Sequence, residues 1–305
     1  MIAQLKSEIR KLLSVRSTYI LLSIALVLIG VFAYFGISPT VYDTATCTST
    51  GEVIYANAHS NGRQQDAIPE DACDGEIEYH TEILKDLPKE RLLFGLQEAV
   101  PIIITFVSVI LVLFVAHEFR YNTISYTLTI SNSRSKVLLS KLAVGVIFTI
   151  IATLLAIGVN VAVTLAAISI KDLNLPTQDY NWLYIIGRHI AYTVGYTLLA
   201  IGIAVLVRNL VFAIVALFVL PTLEGLANIL LSNYDIEPTK ALPFSALDRF
   251  GNVAADIVNQ TPDVAEKFVG SANPATAPVA LGVFAVYLVT LWAITWYLFL
   301  RRDAS

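Results

Sequence analysis

The chain has 305 residues, of which 56% are hydrophobic and 14% charged, with 20 Lys and Arg against 24 Asp and Glu. Soluble domains carry about 25% charged residues, so this balance excludes a water-soluble enzyme. The mean hydropathy of +0.69 and whole stretches without charge, such as Val100 to His117, imply one helical membrane domain instead.

Ile2, Leu5, Ile9, Leu12 and Leu13 recur at helical spacing near the N-terminus, with Lys6, Glu8, Arg10 and Lys11 on the rest of the helix. Residues 1–16 therefore read as an amphipathic interfacial helix lying among lipid headgroups. The alternative is a helix packed on a protein surface. The run from 17 to 37 follows without a convincing cleavage site and reads as a retained signal-anchor and first span.

Hydropathy places six spans at roughly 17–37, 97–117, 138–169, 183–207, 209–231 and 278–300. The third is long enough to tilt or project beyond the bilayer. Only Arg208 and Asn209 separate the fourth from the fifth, which makes a tight hairpin. With the N-terminus inside, segments 1–16, 117–141, 208–209 and 301–305 are cytoplasmic and hold 11 basic and 3 acidic residues, leaving 9 basic and 21 acidic for the rest. Short basic loops stay inside, so both termini are expected in the cytoplasm. The acid is concentrated on the other side, which removes any message about partners from the overall pI.

Two long segments are then external. Residues 38–96 are acidic and hold the only cysteines, Cys47 and Cys73, which read as a disulfide closing a small ordered cap. Two unpaired thiols in a flexible loop are the alternative. Segment 232–277 is rich in proline and carries an apolar stripe of Leu247, Phe250, Ala254 and Ile257, as expected of short helices dipping into the outer leaflet. Asn259-Gln260-Thr261 is a formal glycosylation sequon of low specificity.

Catalytic motifs are absent. The sequence has no phosphate-cradling G-x-x-x-x-G-K-[ST] loop, no H-E-x-x-H, no C-x-x-C and no G-x-S-x-G, and His59, His80, His117 and His189 lack metal-ligand spacing. Nothing supports an enzyme. Ionisable residues at membrane depth are few: Glu224, with Asn228 one turn on, in span five, and Arg188 and His189 in span four. They are candidates for a pathway, against snorkelling or interhelical hydrogen bonding as the structural alternative. No span carries a chain of carboxylates and no repeat of two matching halves is visible, which counts against an ion-coupled carrier. Pro101 and Pro221 are expected to kink or break their helices, or to free backbone groups there, with a movable outer gate as the sharper reading.

The most informative stretch runs from His117 to Lys141. It begins with Glu118 and Arg120, continues through an amphipathic piece to a Ser-Asn-Ser turn, and ends on Arg134, Lys136 and Lys141. Here the sequence resembles the membrane subunit of type-2 ABC transporter permeases, also called type V exporters. Their pattern of E-x-x-x-G-T, a helix, a turn and R-x-x-x-x-x-x-K is met by Glu118, Thr123, Arg134 and Lys141, with Asn122 in place of the glycine and no turn proline. The N-terminal E-I-R-K-L-L-S-V-R-S, the hairpin from Ala200 to Ile214, the L-P-F-S-A element and the final R-R-D extend the resemblance over nearly the whole chain. The first external loop is longer than in many relatives.

The resemblance implies an all-α integral membrane protein with six transmembrane helices and a cytoplasmic coupling helix between spans two and three. It implies an ATP-driven exporter permease in a prokaryotic plasma membrane, moving a drug, peptide, lipid or glycoconjugate outward. Two such subunits, identical or homologous, would pair with two separate ABC ATPase subunits that bind ATP and Mg, while this chain binds no cofactor, no metal and no nucleic acid and touches membrane lipid. Glu118 and Arg120 would face the ATPase, with Thr123, Arg134 and Lys141 completing the coupling element. Pro101, Glu224 and Asn228 would lie near the pathway or its outer gate. The competing reading is a non-transporting membrane sensor or assembly subunit that binds a ligand through its acidic external loop.

Overall fold

The computed structural model describes residues 2–37, 40–47, 53–55, 77–84, 91–121, 133–173, 181–232, 242–253 and 277–301. Helix α1 (Ile2–Ser14) is followed after Val15 by α2 (Arg16–Gly36). Three strands come next: β1 (Thr40–Cys47), β2 (Val53–Tyr55) and β3 (Ile77–Leu84). Then follow α3 (Arg91–Arg120), α4 (Arg134–Ile170), α5 (Trp182–Val207), α6 (Leu210–Ser232), the short α7 (Pro243–Gly251) and α8 (Ala277–Arg301).

Six of these helices (α2, α3, α4, α5, α6 and α8) are long and apolar enough to cross a bilayer. Hydrocarbon offers no partner for backbone N–H and C=O groups, so a spanning segment must satisfy them internally, as a helix does. The protein is an α-helical integral membrane protein. Helix α4, with 37 residues, is about 55 Å long, well over the ~30 Å of a hydrocarbon core. The centre of the bundle is α3 and α5, whose apolar windows are 67% and 61% buried, against 17% for α2, α6 and α8. The main core joins Ile29 of α2, Ile103, Ile110 and Leu111 of α3, Leu138 of α4 and Ile201 of α5.

The first long loop departs from an all-helical reading. Its strands form an antiparallel sheet in the order β2-β1-β3, with Thr40 opposite Leu84 and Cys47 opposite Ile77. Thr, Val, Ile and Tyr dominate β1 and β3 and suit a pleated ladder.

Where helices approach closely, small residues allow it. A methyl group on Gly195 of α5 would stand 2.9 Å from the Phe284 ring, and one on Gly251 would stand 2.8 Å from the ring of Tyr192. Between α4 and α5, Thr149 bonds Thr197 at 3.2 Å and Thr153 bonds Thr193 at 3.0 Å, all four side chains buried.

Both prolines lie inside continuous helices, α3 and α6. Pro221 cannot donate to the carbonyl one turn back, that of Leu217. Tyr196 of α5 donates its hydroxyl to that carbonyl at 3.4 Å. The freed backbone group is thus satisfied from a neighbouring helix.

The α5–α6 connection is the tight hairpin expected. Arg208 adopts the left-handed conformation (φ 53°) as the C-cap of α5, a role glycine usually fills, and its guanidinium lies 5.4 Å from the Phe119 ring. Asn209 Oδ1 then accepts the Val211 and Phe212 amides and starts α6.

Candidate functional site at the basic end of the bundle

Glu8 occupies the middle of the apolar face of α1, since positions 5, 8, 9 and 12 share one side of a helix. That face packs on the bundle, with Leu12 in the main core and Leu5 and Ile9 against it. Glu8 is 1% exposed there. Its carboxylate lies 2.9 Å from Lys141 Nζ of α4 and 2.8 Å from Lys11 Nζ. The same two amines reach Glu118 at the end of α3, Lys141 at 2.7 Å and Lys11 at 3.0 Å. Two carboxylates and two ammonium groups thus alternate in a closed, neutral ring. Lys141, 2% exposed, also stands 4.9 Å above the Phe114 ring.

Burial by itself pushes the Glu8 carboxyl up, but Lys141 and Lys11 outweigh it and hold the group below the ordinary carboxylate value. Burial likewise lowers Lys11, and its bonds to Glu8 and Glu118 more than reverse this, so its amine is held above the ordinary lysine value. The ring ties together α1, the last turn of α3 and the second turn of α4. These are the two helix ends that flank residues 122–132.

Other charged pieces of the sequence gather at this end. Arg134, at the first turn of α4, donates to the Leu300 carbonyl at 3.2 Å, a cation placed on the C-terminal carbonyls of α8. Arg120 lies 5.7 Å from the Tyr121 ring and is exposed at the close of α3. Thr123 lies outside the described residues. Of the proposed coupling residues, Glu118 and Lys141 are therefore turned inward onto each other and α1. Glu8 and Lys11 complete the set. The pattern that reveals them is a carboxylate inside an otherwise apolar stripe, three residues from a lysine.

At the opposite end the membrane-depth residues have structural partners. Helix α7 begins with Leu242 at its N-cap, which has no side chain to cap with, and Pro243 at N1. Glu224 of α6 supplies the cap across the gap, accepting the Phe244 amide at 3.1 Å and the Ser245 amide. These are the N2 and N3 donors that a capping side chain ordinarily takes. Asn228 Nδ2 donates to Ser245 Oγ at 2.7 Å. At the other end of α7, Arg188 of α5 donates through Nε to the Phe250 carbonyl at 2.8 Å and lies 5.3 Å from the Phe250 ring. A carboxylate at the N-terminus and a guanidinium at the C-terminus both complement the helix dipole.

Leu247 and Phe250 of α7 are buried in a second apolar cluster with Val100, Ile104, Tyr192 and Phe284. Ala254 and Ile257, and the sequon at 259–261, lie outside the described residues. Glu224 and Asn228 thus act as interhelical hydrogen-bonding groups that seat α7. Pro101 is exposed on α3, and its carbonyl accepts the Thr105 hydroxyl at 2.8 Å. His189 is buried on α5. Cys47 ends β1, and Cys73 lies outside the described residues.

The fold and these two sites define a polytopic α-helical membrane protein whose N-terminal helix is held by ion pairs to the ends of α3 and α4. A family model described as a protein of unknown function (DUF2705) matches residues 78–305, about three quarters of the chain, and the chain belongs to that family. The matched region holds Glu118 and Lys141, while Glu8 and Lys11 precede it. No curated protein and no solved structure matches the chain.

Proposed function

We propose that the chain is the membrane-spanning permease subunit of an ATP-driven ABC exporter, with ATP hydrolysed on a separate partner. The observation that carries this reading is the Glu8–Lys11–Glu118–Lys141 ring at the basic end. A force applied by an ATPase to the 117–141 segment enters the bundle at Glu118 and Lys141. From there it reaches α3, one of the two central helices, and α4, the longest. Salt bridges lock α1 to the same point, so α1 and the segment move as one unit. Arg120, exposed at the close of α3, is left to meet the ATPase.

The charge distribution supports placing this end in the cytoplasm, and the family resemblance supports a prokaryotic plasma membrane and a dimer of permease subunits. Cys47 ends its strand opposite Ile77, and Cys73 is four residues along the chain from Ile77, a reach of at most about 14 Å. That spacing supports a disulfide holding the sheet closed on the oxidising side. The substrate moves outward between two subunits.

The test is mass spectrometry of what co-purifies with the tagged chain from its own host in mild detergent. Near-equal recovery of a P-loop ATPase is expected, and loss of ATPase stimulation on Glu118→Lys with the spans still folded. A chain recovered alone, or only with a signalling protein, refutes the exporter reading and supports a sensor or assembly subunit acting through its acidic external loop.

A further inference from the structure

With Glu8 turned into the bundle, the outer side of α1 presents Lys6 and Arg10 and no carboxylate of its own helix. Lys6 and Arg10 are exposed, one turn apart, and neither has an ion-pair partner among the described residues. They line, with Ser7, Lys11 and Ser14, an open depression of about 450 Å³. The Lys11 amine is already held by Glu8 and Glu118. Leu13, 44% exposed, follows Arg10 by three residues and Lys6 by seven, so an apolar edge runs beside the two cations.

The depth of this surface is fixed by its neighbours. Val15 alone separates α1 from span α2, and Glu118 and Lys141 place the buried side of α1 against the outermost turns of α3 and α4. The surface of α2 is apolar and exposed from its first turns, with Tyr19 at 54% and Ile20 at 58%. Cations with an apolar flank at the edge of the hydrocarbon suit a ligand that is anionic at its head and apolar below it. An acidic protein surface would match the charge but leave Leu13 without an apolar partner.

We propose that Lys6, Arg10, Ser7 and Ser14 form a binding site for the phosphate headgroup of an anionic phospholipid, with Leu13 against its glycerol and upper acyl carbons. This inference is independent of the exporter reading. It goes beyond general attraction to a charged surface, since it assigns selectivity to two named cations around one depression.

The test is native mass spectrometry of the purified full chain in detergent, titrated with phosphatidylglycerol or phosphatidylcholine of matched acyl chains. Each cation near an anionic headgroup contributes about fivefold, so a preference for phosphatidylglycerol of about 25-fold is expected. Lys6→Gln with Arg10→Gln removes that preference, while Lys6→Arg with Arg10→Lys keeps it; both residues are exposed, so folding is unaffected. Equal retention of the two lipids by the unaltered chain, or an unchanged preference in the double Gln variant, overturns the proposal. Displacement of the lipid by an equal concentration of glycerol phosphate overturns it in favour of a site for a soluble phosphate. Loss of a co-purifying acidic protein from the Gln variant, with lipid preference intact, overturns it in favour of a protein-docking face.

Discussion

Replacing Lys141 by Met tests the ion ring most directly, because it removes one of two cations shared by two buried carboxylates. At separations near 2.8 Å and an effective dielectric constant of about 20, each pair gains about 6 kcal/mol of gross attraction. Desolvation of several kcal/mol per ion cancels most of that, so the intact ring adds little net stability. Deleting one partner is different. Glu8 and Glu118 are left sharing Lys11, with one buried negative charge uncompensated, a situation that costs about 3–5 kcal/mol.

Protonating Glu8 offers a cheaper way out. From an ordinary value of 4.5, neutralising a carboxyl at pH 7 costs about 3.4 kcal/mol, and at pH 5 about 0.7 kcal/mol. The Lys141→Met deficit is therefore expected to be about 3 kcal/mol at pH 7 and to shrink to about 1 kcal/mol at pH 5. Adding Glu8→Gln restores neutrality and leaves the Lys11–Glu118 pair, so the double variant should sit about 2 kcal/mol above the sum of the singles. Equilibrium unfolding of the full chain in mixed detergent micelles, at both pH values, measures all four states. A deficit under 1 kcal/mol at pH 7, a deficit independent of pH, or additive singles would refute the reasoning.

Other expectations concern the same packing. The contribution of Glu8 to the docking of α1 is full above 4.5 and is lost as pH falls through its depressed folded value; that of Lys11 is full below 10.5 and is lost as pH rises through its raised one. An environment-sensitive dye on Ser7→Cys should therefore report a plateau between those limits and release of α1 outside them; a midpoint near neutral pH would contradict the assignment. Glu224→Ala removes the cap from the α7 amides and should cost about 1–2 kcal/mol. Hydrogen exchange should rise across 243–251 and not in α3, and unchanged exchange there would count against the cap. Tyr196→Phe leaves the Leu217 carbonyl without a donor and should cost about 0.5–1 kcal/mol. In a Pro221→Ala background, where the backbone N–H is restored, that cost should vanish, and persistence would show that the hydroxyl acts elsewhere.

What the sequence determines on its own here is the spanning framework. Whether a stretch can lie in hydrocarbon depends on its own apolarity and length, so the six spans are legible to within a few residues, as is the two-residue hairpin at Arg208 and Asn209. The amphipathic face of α1 is legible for the same reason. The strands from Thr40 to Cys47 and from Ile77 to Leu84 are readable in principle from their β-branched content, but their pairing joins residues 30 to 44 positions apart.

The tertiary structure alone decides what the polar residues do. Glu8 meets Lys141 across 133 positions and Lys11 meets Glu118 across 107, and no local pattern states such a distance. Glu224 and Arg188 looked like candidates for a pathway because a charge at membrane depth is costly; only the arrival of α7 between them shows that its two helix ends offset that cost. Tyr196 is one apolar-looking position among many until Pro221, on the next helix, frees a carbonyl beside it. Apolarity acts through the segment that carries it, whereas a buried charge or hydroxyl takes its meaning from a partner that only folding brings near.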